Sequence, residues 1–317
     1  MERPRIIAAS LLFAAATIAH AQTSSPPWSK GMNAPAASNS YVFHVPDIDN
    51  VPDLHGNPCD AKLVLFIGGN QFFVLPRLIA GFEKQHPELA GHIFYETLPP
   101  GILRKQMAAG NAITLGNLTL RIQPDVYEAG QRAVHEMETK GELDHTITYA
   151  TNTLEIMVVA GNPKGITSLN DLAKSGLRLS MPNPETEGVA RQIQDSLRKA
   201  GGDALVKAVY DEKVKDGSAF LTQIHHRQTP MRILDGRSDA GIVWSSEVKF
   251  QQKIGSKIAG VPIPDAQNVT AIYAAGLVRN APHREAALAW LAYLKSNEAR
   301  AAYAEFGFGF PQVPAAH

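Results

Sequence analysis

The most unusual local sequence in this chain of 317 residues is His225-His226-Arg227-Gln228, set directly before Thr229-Pro230. Two imidazoles and a guanidinium supply donors suited to a carboxylate or an oxyanion, and Arg can grip either in bidentate fashion. A solvated loop with an incidental His pair is the plainer reading of the same residues. Thr229-Pro230 reads as a helix cap followed by proline at the first helical position. Three other segments, Gly68-Gly69-Asn70, Pro99-Pro100-Gly101 and Pro184-Glu185-Thr186-Glu187-Gly188, run a strand or loop into a helix in the same way. The unpartnered N–H groups and the positive end of the helix dipole make each a possible anion cradle. One such junction is ordinary in an α/β protein, so only their convergence at strand ends would be informative. Trp244, before Ser245-Ser246-Glu247, suits either a pocket wall or a core position. His225, His226 and Glu247 are the one set that could hold a metal, although adjacent residues on an extended loop point to opposite sides. There is no G-x-S-x-G, H-E-x-x-H or P-loop, so neither an enzyme nor a cofactor is expected.

These residues need a frame, and the apolar periodicity supplies one. Short apolar runs alternate with helical patterns, the signature of sheets flanked by helices, hence an α/β fold. The run over residues 62–67 predicts a buried strand, and Leu75, Leu78, Ile79 and Phe82 predict a helix capped by Asn70 and ended by His86-Pro87. Strands are expected over 92–95, 115–122, 152–160, 177–181, 240–244 and 271–278. Helices are expected from Pro100 to Met107, over 127–140, over 187–200 with Gly201 as the stop, from Pro230 to Gly236, and over 284–305 as one long helix. Asp125 and Tyr127 read as a turn and helix cap, and Ser168 as the cap of a short helix over 169–173.

Composition narrows the partners. Thirty basic residues balance thirty acidic ones, which excludes a broadly basic nucleic-acid binder. The single cysteine, Cys59, excludes an internal disulfide and multi-cysteine metal sites. Residues 1–21 read as a cleavable secretory signal: Arg3 and Arg5, an apolar run over 6–18, and the small-residue site Ala19-His20-Ala21. That run is too short to anchor in a bilayer. Residues 22–60 are rich in Ser, Pro, Asn and Asp and read as an extended arm whose one possible strand is Tyr41-Val42-Phe43; the tail from Pro311 is expected to be irregular.

The order of motifs resembles the periplasmic substrate-binding proteins of ABC importers, in particular the group containing the molybdate-binding proteins. The resemblance covers residues 61–310 and is carried by Asn152-Thr153-Leu154, Gly161-Asn162-Pro163-Lys164-Gly165-Ile166, Ser168-Leu169-Asn170-Asp171-Leu172, Asn183-Pro184-Glu185-Thr186, Gly241-Ile242-Val243-Trp244-Ser245-Ser246-Glu247 and Tyr303-Ala304-Glu305-Phe306-Gly307-Phe308. It implies a two-lobed type II periplasmic-binding fold, with one lobe from 61–150 and 270–317, the other from 151–269, and crossovers near 149–152 and 268–272. A small anion would lie between the lobes, which close by a hinge. In molybdate binders the anion is held by Ser hydroxyls, backbone N–H groups and a Tyr. The corresponding positions here are Gly69, Asn70, Pro100, Gly101, Gly188, Val189, His225, His226, Arg227, Gln228 and Trp244. The serine-bearing loops are replaced by Gly-Gly-Asn and Pro-Pro-Gly and the tyrosine by Trp244, while Arg227 and the His pair add cationic donors. The expectation is a monomeric periplasmic receptor that passes a molybdate-like oxyanion or a small organic anion to an inner-membrane permease. Arg227 carries the charge contact in that reading, and affinity weakens as pH rises through the His range. The alternatives are a metal-dependent hydrolase or lyase on the same fold, and a receptor feeding a sensor.

Overall fold

The computed structural model describes residues 53–115, 118–223, 225 and 227–311. The expected signal, most of the expected arm with Tyr41-Val42-Phe43, His226 and the tail beyond Pro311 lie outside the described residues. The strands in chain order are β1 (Leu54–His55), β2 (Leu63–Gly68), β3 (Ile93–Leu98), β4 (Ala112–Leu115), β5 (Leu118–Arg121), β6 (Val126–Gly130), β7 (Leu143–Asn152), β8 (Leu154–Val159), β9 (Leu179–Met181), β10 (Ala219–Leu221), β11 (Ala240–Trp244), β12 (Ile258–Pro262) and β13 (Ala271–Val278). They form a sheet of order β1-β3-β2-β6-β13-β7, a second of order β10-β9-β11-β8-β12, and the hairpin β4-β5. In each sheet the parallel strands adjoin antiparallel ones. The helices are α1 (Leu75–Gln85), α2 (Pro100–Ala108), α3 (Gln131–Thr139), α4 (Val189–Lys207), α5 (Lys213–Lys215), α6 (Gln228–Leu234), α7 (Ser245–Lys253), α8 (Arg284–Leu294) and α9 (Asn297–Glu305).

The first sheet is covered on both faces, which is why β2 is an unbroken apolar run. Leu63, Leu65 and Ile67 pack with α1, α8 and α9, while Val64 and Phe66 face Leu103 of α2 and Val134 of α3. In the second sheet Leu154, Ile156 and Val158 pack on α4, and Met157 lies with Ile233 and Val248 on the opposite face. The chain leaves the first sheet at the end of β7 and returns into β13. Asn268 ties the two crossings together, accepting from Leu154 N at 3.0 Å and donating to Leu154 O at 2.8 Å.

Several elements differ from the sequence reading. The expected strand over 115–122 is the hairpin β4-β5. Tyr127 belongs to β6 rather than a helix cap, so α3 starts later. The ten-residue β7 fills a stretch to which the sequence reading assigned no element before Asn152. Asn70 sits inside a short 3₁₀ turn, Gly69–Gln71, instead of capping α1. Gly201 and Gly202 have non-helical backbone angles, so the first part of α4 stops at Gly201 as expected, and a second helical segment runs on to Lys207. Thr229 lies within α6, whose N-cap is Arg227. Ser296 divides the long C-terminal helix by capping α9 through Ala299 N at 3.1 Å.

A polar network is sealed inside the first lobe. The buried Glu128 carboxylate accepts from Trp290 Nε1 at 2.6 Å and Tyr149 Oη at 2.9 Å. Gln71 Nε2 donates to Tyr149 Oη at 2.7 Å, and Tyr303 Oη donates to Gln71 Oε1 at 2.6 Å. Burial pushes the Glu128 carboxyl up to about 7 from an ordinary 4.5, against the lowering effect of hydrogen bonds from Trp290, Tyr149 and Gln71. Folding therefore favours the protonated form. Its contribution to stability is complete below 4.5 and is lost as pH rises through 7, a swing of about 3 kcal/mol. Glu128→Gln, neutral throughout, should gain in melting temperature relative to the parent protein as pH goes from about 5 to 8; parallel melting profiles would contradict the assignment.

Candidate functional site

A cavity of about 70 Å³ lies between the two sheets, lined by Gly68, Gly69, Asn70, Pro99, Pro100, Ala129, Gly130, Glu187, Gly188, Val189, Gln192, His225, Trp244, Ala271 and Tyr273. A water needs about 10–15 Å³ in this measure, so the space suits roughly five non-hydrogen atoms. Its wall is made of strand ends and helix starts from both sheets: β2 runs into the 3₁₀ turn at Gly69, β3 into α2 at Pro100, β6 into α3 at Gly130, and β11 into α7 at Trp244, while α4 begins at Val189. None of these helical segments has a side-chain hydrogen bond at its N-cap. The starts of α1, α6 and α8 also lack one, so it is the convergence of uncapped ends on one small space that distinguishes the cavity. Helix starts of this kind turn N–H groups and positive dipole density outward along their axes, although Ser245 N at the start of α7 already donates to Thr153 O at 2.8 Å and α2 opens with a proline, which has no N–H.

No Lys or Arg is among the lining residues, and Glu187 is the one carboxylate. Glu187 Oε1 accepts from Asn183 N at 3.1 Å and from Thr222 Oγ1. Asn70 donates through Nδ2 to Tyr273 Oη, to which Asn152 Nδ2 also donates at 3.4 Å. Asn152 Nδ2 reaches Ser246 Oγ of α7 at 2.7 Å. Cavity and crossovers thus share one hydrogen-bond chain. Burial keeps the Tyr273 hydroxyl protonated far above neutrality, although the Asn152 and Asn70 bonds pull the other way. The Trp244 ring lies 6.0 Å from the Tyr273 ring, centroid to centroid.

Of the residues singled out from sequence, the structure places Gly69, Asn70, Pro100, Gly188, Val189, His225 and Trp244 on the wall of this cavity and leaves Gly101, Arg227 and Gln228 off it. Arg227 is the main correction. Its guanidinium is buried, donates through Nη2 to the Asp53 carboxylate, and lies 4.8 Å from the centre of the Phe72 ring. A guanidinium cannot be buried without an acceptor, and Asp53, one residue before β1, supplies it. His225 Nε2 joins the same carboxylate at 3.0 Å from Asp53 Oδ1. Burial alone would raise the Asp53 carboxyl, but the charges of Arg227 and His225 and their hydrogen bonds hold it below its ordinary value. Gln228 Oε1 accepts from Gln223 N at 2.7 Å and closes its own loop. Gly101 faces Thr186 across the lobes, where a Cβ on it would stand 2.7 Å from the Thr186 carbonyl oxygen. His226 lies outside the described residues. Among the described residues no group of three or more His, Cys, Asp or Glu is placed to hold a metal ion. Asp53, Gly130, Gln192 and Tyr273 were not singled out from sequence. The Gly130-Gln131 junction after β6 carries the signal already used for the other cradles.

Two sheet-centred lobes, joined by crossing strands and closing on a cavity ringed by helix starts, define the periplasmic-binding-protein fold. Residues 63–309 match the family of bacterial extracellular solute-binding proteins, and the chain belongs to that family. It is 26% identical over 216 residues to the molybdate-binding protein ModA of Mycobacterium tuberculosis strain H37Rv, covering 67% of this chain and 76% of that one. It is 27% identical over 266 residues to a sulfate-binding protein of Synechococcus elongatus, covering 82% and 75%. The solved structure of the sulfate-binding protein SubI from Mycobacterium tuberculosis H37Rv superposes with a TM-score of 0.65 at 17% identity, over 80% of this chain and 87% of that one. All three are named as binding proteins. Among the described residues no helix is long and apolar enough to cross a membrane.

The glycines on the wall differ in what they touch. A Cβ on Gly69 would stand 2.6 Å from His225 Cε1, 2.8 Å from Nδ1 and 3.0 Å from the Thr97 carbonyl oxygen, whereas one on Gly130 would meet nothing within 4 Å. Gly69→Ala should cost about 1–3 kcal/mol and Gly130→Ala less than about 0.5 kcal/mol in chemical denaturation. Equal losses would show that the His225 ring does not rest on Gly69.

Proposed function

We propose that this protein is the periplasmic solute receptor of an ABC importer and that it captures a compact oxyanion of the sulfate or molybdate class between its lobes. The observation that carries the reading is the cavity of about 70 Å³ ringed by uncapped helix starts and lined by no Lys or Arg. Backbone N–H groups at several helix ends can disperse the charge of a dianion without a formal counter-charge. The size suits a tetrahedral ion, and two relatives are named for such ions. Gly69, Asn70, Gly188 and Val189 would offer backbone N–H groups, the Asn70 side chain and Tyr273 hydroxyl would fix orientation, and Pro100 and Trp244 would close the walls. The expected signal at residues 1–21 supports export to the periplasm, and the bound anion would pass to an inner-membrane permease. On this reading the lobes divide where the chain crosses, after β7 and before β13.

One observation favours a second solute class. A wider cavity of about 310 Å³ adjoins the first through Pro100, Glu187 and Gly188, and its lining includes Arg104, Arg132 and Arg191. Arg104 and Arg132 pair with Glu136 at 3.3 and 3.1 Å. A small organic dianion could place its second charged group there.

Thermal unfolding against molybdate, tungstate, sulfate, phosphate and short organic dianions tests both readings. An anion at 1,000 times its dissociation constant should stabilise the protein by about 4 kcal/mol. A shift with oxyanions alone supports the first reading, a shift with organic dianions that is lost in Arg191→Ala supports the second, and no shift across the panel overturns both. Trp244 is the tryptophan on the wall, so solute should change its fluorescence and Trp244→Phe should abolish that change.

Closure is tested at Gly101. With a Cβ 2.7 Å from the Thr186 carbonyl oxygen, Gly101→Ala should hold the lobes apart. Affinity should fall at least about tenfold, or ~1.4 kcal/mol, while the melting temperature of the solute-free protein is kept. Unchanged affinity would show that binding does not need this approach.

A further inference from the structure

His225 lies where the cavity, the edge of the first sheet and the Arg227 guanidinium meet, and its two ring nitrogens have opposite surroundings. Nε2 is 3.0 Å from Asp53 Oδ1. Nδ1 is buried and has no hydrogen-bond partner, on a ring that is 0% exposed and lines the cavity. The Cε1–Nδ1 edge is the one turned to Gly69, which lines the same space. A neutral imidazole has one N–H and one lone pair. Asp53 is ionised beside Arg227 and can only accept, so a neutral ring must put its hydrogen on Nε2. That leaves a lone pair on Nδ1 at the cavity, which an oxyanion would oppose. A protonated ring donates from both nitrogens. Charge counting leads the same way: Asp53 and Arg227 cancel, so the cluster is neutral with imidazole and carries one positive charge with imidazolium.

We propose that His225 engages the solute as an imidazolium, taking up a proton as the anion enters, and that Asp53 is a positioning residue that fixes Nε2–H and leaves Nδ1–H for the anion. This deepens the oxyanion reading above and rests on it. Among the described residues, Tyr273 also lines the cavity, its hydroxyl kept protonated by burial, and the charged groups to separate from the ring are these. Arg227 stays charged. Glu96 stands behind Asp53, and burial together with the Asp53 charge pushes its carboxyl well above the usual range. Glu187, on the α4 side of the cavity, accepts from Asn183 N and Thr222 Oγ1. Glu128 follows Tyr127 in β6, with its carboxyl sealed in the network with Trp290 and Tyr149 and titrating at about 7. It is therefore the group whose protonation must be separated from that of His225.

The test is titration calorimetry of molybdate and of sulfate at pH 8 in HEPES and in Tris, whose ionisation enthalpies differ, followed by affinity measurements from pH 5.5 to 8.5. For the parent protein and for Glu128→Gln, about one proton should be taken up per anion, and affinity should fall by about tenfold per pH unit wherever that uptake is complete. In His225→Gln, which donates without titrating, uptake should vanish and the pH profile should flatten. In Asp53→Asn the imidazolium loses its counter-ion, so the fall in affinity should move to lower pH; a variant that only loosens the fold would weaken binding equally at every pH. Binding without proton uptake, or an unchanged profile in His225→Gln, overturns the inference and leaves the oxyanion reading standing. If His225→Gln does not fold, the buffer comparison on the parent protein decides alone. If neither anion binds, the inference and the reading beneath it both fall.

Discussion

A buried guanidinium must find an acceptor, and the choice of Asp53 as that acceptor for Arg227 determines the character of the rest of the site. Leaving either partner alone in the interior would cost several kcal/mol, so the loop before α6 is held against the edge of the first sheet. That edge is itself tied down where Thr97 N donates to the Asp53 carbonyl at 2.8 Å. The pairing removes the most conspicuous cation of the sequence from the solute space and leaves a cavity whose positive character comes mainly from helix ends. Partial charges spread over several N–H groups are preorganised, and they need not be desolvated as a whole ion. The same pairing brings His225 to the wall.

Other contacts join the lobes at a distance from the cavity. Phe250 of α7 stacks on Phe73 with centroids 4.9 Å apart and meets Phe72 edge-on at 5.2 Å. Thr151 and Gly309 exchange backbone hydrogen bonds at 2.8 and 2.9 Å, fixing the C-terminal segment to the end of β7. Asn70, Tyr273, Asn152 and Ser246 then connect the solute space to both crossing strands and to α7. On the proposed reading, a solute that displaces Asn70 would disturb the hydrogen bonds at both crossings, a physical route from occupancy to closure that needs no change in the sheets.

What could be read from sequence follows from the range of the forces involved. β2, β11 and β13 are buried on both faces, so their apolar runs announce themselves locally. The capping box at Ser168 and Asp171 is equally local and was legible. β7 was missed because residues 143–152 mix Asp, His and Thr with few apolar side chains, the pattern of an edge strand packed on one neighbour. Three of the junctions around the cavity, at Gly69, Pro100 and Gly188, were legible one by one because each is a short motif, and the resemblance to a known family supplied their convergence. Asp53 could not be found this way. It stands 172 residues from His225 and 174 from Arg227, within an arm whose composition gives no periodicity, and its role exists only after the sheet edge and the α6 loop meet. Tyr273 was read as part of a strand, and nothing local shows that its hydroxyl reaches Asn70.

The loops that hold the site have few side chains to offer, and this suits a design that depends on the backbone. Gly69 is tight against His225, and Gly101 against the Thr186 carbonyl, whereas Gly130 and Gly188 have open space where a Cβ would stand. The first pair therefore permits close approach, and the second preserves room. The resemblance implies serine hydroxyls at two of these loops, yet a hydroxyl and a helix N–H are interchangeable as donors to an oxyanion provided that the backbone comes near enough. Exchanging a serine for a glycine removes one donor and allows the remaining N–H groups to move closer. Such a site discriminates by size and by the spacing of helix ends more than by the identity of any side chain. The residues that can tune it are those behind the wall: Asp53, Arg227 and the ring of His225 between them and the cavity.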